Sequence, residues 1–278
     1  MALSGISWLI NSLFLRSNGK FSKMNKEIES IRGHSLYRFE YLPAILVPIL
    51  IALVDSSIWH FSIIIAIIGW VLLAISINML NDYFDRDRIL KLDHKSILIL
   101  SFLIAMMGFY FVWEHSLFLA IAYFAIMIVY NFKLKNIPII ENLLQVTAYC
   151  VLPYLAFVSQ ISIFSLFILV FAGIFSELIH HIAHREVTFK FLRIKGSFYS
   201  ALFISILLLI ASVSYLIWGK HIYYWPAILI ALSGIYYSIK TLLDFSKIKD
   251  WIKIMMFGTE TMKWGTVYLL IVLIFKIA

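Results

Sequence analysis

Charge is scarce in this chain. Only 14% of its 278 residues are Asp, Glu, Lys or Arg, against about 25% in a soluble globular domain. Hydrophobic residues make up 63% and the mean hydropathy is +0.95, which excludes an ordinary water-soluble fold. The single cysteine, Cys150, lies in an apolar run, so no disulfide framework is available. No Gly/Ser linker or low-complexity tract divides the chain, and there is no Gly-rich phosphate loop, Ser/His/Asp arrangement or cysteine-based metal motif. The first fifteen residues, "MALSGISWLINSLFL", lack a basic start and a small-residue cleavage site. They are expected to lie in the interface rather than to be a cleaved leader or a span.

What is present is a series of continuous apolar runs of about 20 residues, the length a helix needs to cross a bilayer. A closed barrel would instead alternate over segments of about 10 residues. The expected fold is all-α and integral to the membrane. Nine transmembrane helices are placed at approximately 40–57, 61–80, 97–113, 116–132, 138–158, 162–183, 198–217, 222–240 and 261–277. Residues 1–37 form a cytoplasmic or interfacial N-terminal segment, and 38–278 form one membrane domain.

The formal charge of +8 might suggest nucleic acid, but its distribution argues for topology instead. With nine spans, all of the 23 Lys and Arg except Lys220 and Lys276 fall on one face. By the positive-inside rule the N-terminus is cytoplasmic and the C-terminus lies on the opposite side. The far-face loops "DSSIWH", "WEHS", "SQIS" and "WGKHIYYW" are short and carry interfacial Trp and Tyr. Two cytoplasmic loops, after spans two and six, hold most of the polar chemistry. Both are helical runs that turn abruptly polar, "SINMLNDYFDRD" and "FSELIHHIAHREV", which suggests an internal repeat of four spans. The stretch 242–257 alternates apolar and basic residues as an interfacial helix does.

In "INMLNDYFDRDRILKLD", residues 77–93, four aspartates crowd behind an apolar run. On a continuing helix Asn81 and Asp85 are one turn apart and Asp82 borders their face. Such oxygen donors suit Mg²⁺, which takes further ligands from substrate phosphates. Arg86, Arg88, Lys91 and Lys95 would then meet the phosphate oxygens. The alternative is a solvated loop in which Asp and Arg balance one another.

"NDYFDRD" after the second span resembles the first motif of the UbiA superfamily of intramembrane prenyltransferases, N-D-x-x-D-x-x-x-D. "RFEYLPAILVP" (38–48) and "YNFKLKN" (130–136) extend the resemblance, which covers roughly residues 38 to 277. It implies a bundle around a central cavity open to lipid, with two aspartate-rich loops holding Mg²⁺ against an isoprenyl diphosphate. Departure of the diphosphate leaves an allylic cation that alkylates a lipophilic, often aromatic, acceptor. Asn81, Asp82 and Asp85 match the first three motif positions as metal ligands, with Asp82 and Asp85 catalytic; Ile89 stands where the fourth aspartate would be. In the second loop His184 and Thr188 occupy the two aspartate positions, and Glu186 is the acid between them. On this resemblance Arg88, Lys91, Lys133 and Arg185 bind the diphosphate.

Glu177, His181 and His184 share one helical face, and His180 pairs with His184. Three readings stay open: a transition-metal site, acid/base work on an acceptor, or a polar wall. In the acid/base reading Glu177 and His181 contact the acceptor and His184 is catalytic. Glu141 and Gln145, one turn apart, face either the cavity or a neighbouring span. The functional expectation is isoprenyl transfer assisted by Mg²⁺, with an isoprenyl diphosphate donor, a lipophilic acceptor and the bilayer as partners. Its rivals are phosphoribosyl transfer or terpene cyclisation on the same scaffold, and a non-catalytic isoprenoid-binding protein or transporter.

Overall fold

A computed structural model of the chain describes residues 42–56, 60–85, 94–134, 138–184, 194–219, 222–247 and 264–276. The N-terminal segment 1–37 and most of the stretch 242–257 lie outside these residues. Regular structure among the described residues is entirely helical. The helices are α1 (Leu42–Ser56), α2 (Phe61–Asp85), α3 (His94–Val129), α4 (Pro138–Val146), α5 (Leu152–Phe157), α6 (Ile163–His184), α7 (Ile194–Trp218), α8 (Trp225–Leu243) and α9 (Trp264–Lys276). Five stretches are long and apolar enough to cross a membrane: Phe61–Phe84, Lys95–Phe132, Ile140–Phe157, Gly196–Trp218 and Trp225–Leu243.

α3 is not one straight rod. Ser116 leaves the helical region (φ −153°, ψ 33°), and the rings of Phe109 and Phe124 lie 5.3 Å apart. In a straight helix that sequence separation would put them about 22 Å apart. The chain therefore turns back at Ser116, and α3 is two antiparallel arms. Trp70 of α2 pins the corner, its indole N–H donating to Ser116 Oγ at 2.9 Å. Where a "WEHS" loop was expected, one residue suffices.

The outer faces are those of a lipid-facing protein. Phe102, Met106, Tyr110 and Trp113 form a stripe on the first arm of α3 and are all more than half exposed. A patch of this kind in water would drive aggregation. Where α2 and α3 approach most closely the contacts are made by small residues, as expected where lipid removes the hydrophobic drive for helix association. Ser76 and Ser101, both fully buried, bond reciprocally across α2 and α3: each hydroxyl donates to the other's carbonyl, at 2.9 and 3.0 Å. Higher along the same pair, Gly69 and Gly108 let the two backbones meet. α6 packs on α7 and α7 on α8, while α1 lies against α5. Phe175, Ile179, Phe198 and Ala201 make a second core between α6 and α7.

Two turns in the middle of the chain are π-helical, Tyr130–Leu134 and Thr147–Val151. The second ends two residues before Pro153, which lacks the N–H an α-helix would need and whose ring crowds the carbonyl one turn back. Such insertions recur at functional sites because they re-aim a side chain. Here they carry Tyr130 and Tyr149.

Candidate functional site

The polar residues gather at two opposite ends of the bundle. At the near end, where α2 finishes, the apolar helix runs on past Leu80 to Asp85. At 3.6 residues per turn Asn78, Asn81, Asp82 and Asp85 share an arc of roughly 100°. Asp82 and Asn78 are the buried pair, each 7% exposed, and Asn81 is partly buried. The sequence placed Asn81 and Asp85 at the centre of this face with Asp82 at its border. Burial centres it on Asp82 and adds Asn78, which the sequence reading had left inside the apolar run. Its spacing, four residues before Asp82, was the available signal.

Tyr149 reaches across from the second π turn, its hydroxyl donating to Asn78 Oδ1 at 3.4 Å. The ring of Phe84 meets Phe132 edge-on at 5.9 Å, which joins the end of α2 to the π turn that begins at Tyr130. Asn131 and Asn142 are buried beside that turn, and both carry amide atoms with no hydrogen-bond partner among the described residues, as does Asn78.

A second group couples three elements. The Tyr130 hydroxyl lies 3.1 Å from Glu141 Oε1 on α4 and 2.6 Å from the Gln145 amide. Turned with its nitrogen toward α6, that amide donates to Glu177 Oε1 and Oε2 at 2.8 and 2.7 Å, and its oxygen accepts from Tyr130. Glu141 and Gln145 thus make contacts between helices, at the near end.

Glu177, His181 and His184 lie on α6 as one continuous helix, as the spacing required. For Asp85, Lys133, His181 and His184 the backbone is placed: Asp85 closes α2, Lys133 sits in the first π turn, and the two histidines occupy the last turns of α6. Arg88, Lys91 and Arg185 lie outside the described residues, as do Ile89 and Thr188. Among the described residues no three His, Cys, Asp or Glu side chains converge. The donors at the end of α2 are instead one buried carboxylate and amide oxygens. That is the hard-oxygen chemistry Mg²⁺ accepts when substrate phosphates complete its shell, so the residues fit the ion.

The far end, about 30 Å away along α2, carries a group the sequence reading missed. Asp55 closes α1 and accepts from three tyrosines: Tyr154 to Oδ2 at 3.1 Å, and Tyr224 and Tyr215 to Oδ1 at 2.7 and 3.2 Å. Ser165 adds a 3.1 Å bond to Tyr224, and Lys276 of α9 donates to the Val54 carbonyl. These bonds tie α1, α5, α6, α7 and α9 together on the side away from Asp82. Tyr224→Phe removes the hydroxyl's bonds to Asp55 and Ser165, and a stability loss of about 1–3 kcal/mol is expected. It would appear as a lower thermal midpoint in detergent.

No family model and no curated protein matches this chain. One solved structure does, from a study of a digeranylgeranylglyceryl phosphate synthase in membranes, with a TM-score of 0.62 and 18% identity over 90% of this chain and 99% of that one. That synthase is a UbiA-superfamily intramembrane prenyltransferase, the group that "NDYFDRD" had suggested. The likeness establishes the architecture: the chain shares the fold of that membrane synthase.

Proposed function

We propose that this protein is a membrane-embedded transferase that moves an isoprenyl group from an allylic isoprenyl diphosphate to a lipophilic acceptor. The observation that carries the reading is the burial of Asp82 and Asn78 at the near end of α2, within a fold shared with a membrane prenyltransferase. A metal-bound diphosphate would bring a cation beside that carboxylate, the setting in which a buried charge is stabilised.

In this reading α3 counts as two spans, the chain crosses nine times, and the near end is cytoplasmic. Asn81, Asp82 and Asp85 hold Mg²⁺. Bound there, the ion would neutralise charge on the departing diphosphate. Arg88, Lys91, Lys133 and Arg185 hold phosphate oxygens in a water-poor setting, where each contact is stronger than in solution. Aromatic side chains of the bundle interior would present π faces to an allylic cation. Glu177, His181 and His184 orient the acceptor and take its proton. The acceptor is an aromatic ring or a lipid alcohol; the solved relative, named for a digeranylgeranylglyceryl phosphate, supports including glyceryl phosphates.

The test is incubation of purified protein with Mg²⁺, labelled geranylgeranyl or farnesyl diphosphate, and panels of aromatic and glyceryl phosphate acceptors. Labelled lipid product with stoichiometric diphosphate release is expected. Diphosphate release with a cyclised hydrocarbon and no transfer would replace transfer by cyclisation. Neither release nor product from any donor would end the reading.

A further inference from the structure

The polar arc at the near end of α2 stops at Asn78. Inward from Asp85 it holds Asp82, Asn81 and Asn78, and the same arc then continues as Ala74, Val71 and Ile67. Asn78 is therefore the last polar side chain on this face before the apolar interior, one turn and about 6 Å deeper than Asp82. Its two amide arms are used differently. Oδ1 accepts from the Tyr149 hydroxyl at 3.4 Å, whereas Nδ2, which carries two donor hydrogens, has no hydrogen-bond partner among the described residues. The amide is planar, so the bond from Tyr149 on one arm holds the other aimed away from the second π turn. A buried N–H₂ without a partner is costly, and such a group calls for a ligand, an ion or a water to explain it.

An isoprenyl diphosphate has a polar border of its own, the oxygen that joins C1 to the phosphate. With the phosphates held at Asp82 and Asp85 and the apolar tail in the bundle, that oxygen comes to the depth of Asn78. We infer that Asn78 is a further catalytic residue, whose N–H₂ donates to the C1–O oxygen of the diphosphate as it leaves. The inference deepens the proposed function and rests on it.

In the step, the C1–O bond breaks, its electron pair stays on the diphosphate oxygen, and C1 becomes part of the allylic cation that the acceptor attacks. Asn78 keeps its protons. Its hydrogen bond strengthens as charge gathers on the departing oxygen, so the stabilisation is larger in the transition state than in the bound substrate. A lysine or arginine at this depth would carry the cost of a charge inside the membrane between turnovers; a neutral amide does not. Tyr149 touches no substrate in this scheme and is a positioning residue.

The test compares Asn78→Leu with wild type in transfer from geranylgeranyl diphosphate and in binding of its non-hydrolysable analogue. Leucine is similar in size, suits the helix and removes the donor. A kcat about a hundredfold lower is expected, the scale for one lost donor to a developing oxyanion. Donor KM, analogue affinity and the Mg²⁺ concentration for half-maximal rate should each stay within about threefold of wild type, as for an interaction made in the transition state. The secondary deuterium isotope effect at C1 should be at least as large as in wild type, which marks C1–O cleavage as the slowed step. A kcat within about threefold of wild type, or a smaller isotope effect, would overturn the inference and leave the transferase reading standing. So would a loss that higher Mg²⁺ repairs, or a parallel loss of analogue binding in a folded variant. A wild type that transfers no isoprenyl group would remove the reading and this inference with it. Should leucine prevent folding, Asn78→Ala is held to the same criteria.

Discussion

Asp82→Ala is expected to lower isoprenyl transfer at least about a hundredfold, the usual cost of removing one preorganised group that stabilises developing charge. Asp82 is the buried carboxylate of the α2 face, held by an α-helix that continues past the apolar run. Alanine removes the charge and the oxygen donors while favouring the helix, so the fold should survive. Asp82→Asn keeps the shape and one oxygen, and should fall between wild type and alanine, with much of the loss in kcat/KM recovered at higher Mg²⁺. Steady-state kinetics alongside thermal midpoints in detergent separate a chemical loss from a folding loss. Activity within a few-fold of wild type in Asp82→Ala would move the site away from the end of α2.

Gly69→Ala is the substitution with the largest expected effect on stability. In an isolated helix, alanine for glycine gains about 1 kcal/mol. Here the added Cβ would stand 2.9 Å from the carbonyl oxygen of Gly108 and 2.7 Å from Val112 Cγ1. The first is backbone and cannot swing away, so α2 and α3 must part. Overpacking of this kind costs about 1–3 kcal/mol, and the loss spreads because the nearby Ser76–Ser101 exchange depends on the same close approach. A net fall in thermal midpoint, opposite in sign to the propensity gain, is expected. An unchanged or raised midpoint would mean that the helices do not cross at this glycine.

The helices were legible because their apolar runs are long and uninterrupted, and polar residues bound them. The turn at Ser116 was legible as a boundary but not as a corner, since what holds it is Trp70, far off in the chain. Asn78 was hidden because one amide in an apolar run looks like part of the span. Only its spacing from Asp82, and then its burial, sets it on the polar face. Glu141 and Gln145 advertised a shared face through their one-turn separation. Their partners, Tyr130 and Glu177, lie on other elements, and no local pattern announces contacts between helices. Asp55 was read as the start of the short far-face loop "DSSIWH"; what gathers three tyrosines onto it is the alternation of helix direction, which brings far ends from across the chain together.

The central claim is that the near end of α2 receives a metal-bound isoprenyl diphosphate. The most direct measurement is equilibrium binding of a labelled, non-hydrolysable isoprenyl diphosphate analogue to purified protein in nanodiscs, with Mg²⁺ and with EDTA, for wild type and Asp82→Ala. Saturable binding that needs Mg²⁺ and weakens at least about tenfold in Asp82→Ala is expected, the scale on which a lost metal-site contact reduces affinity. Binding of equal strength with EDTA, or in Asp82→Ala, would contradict it.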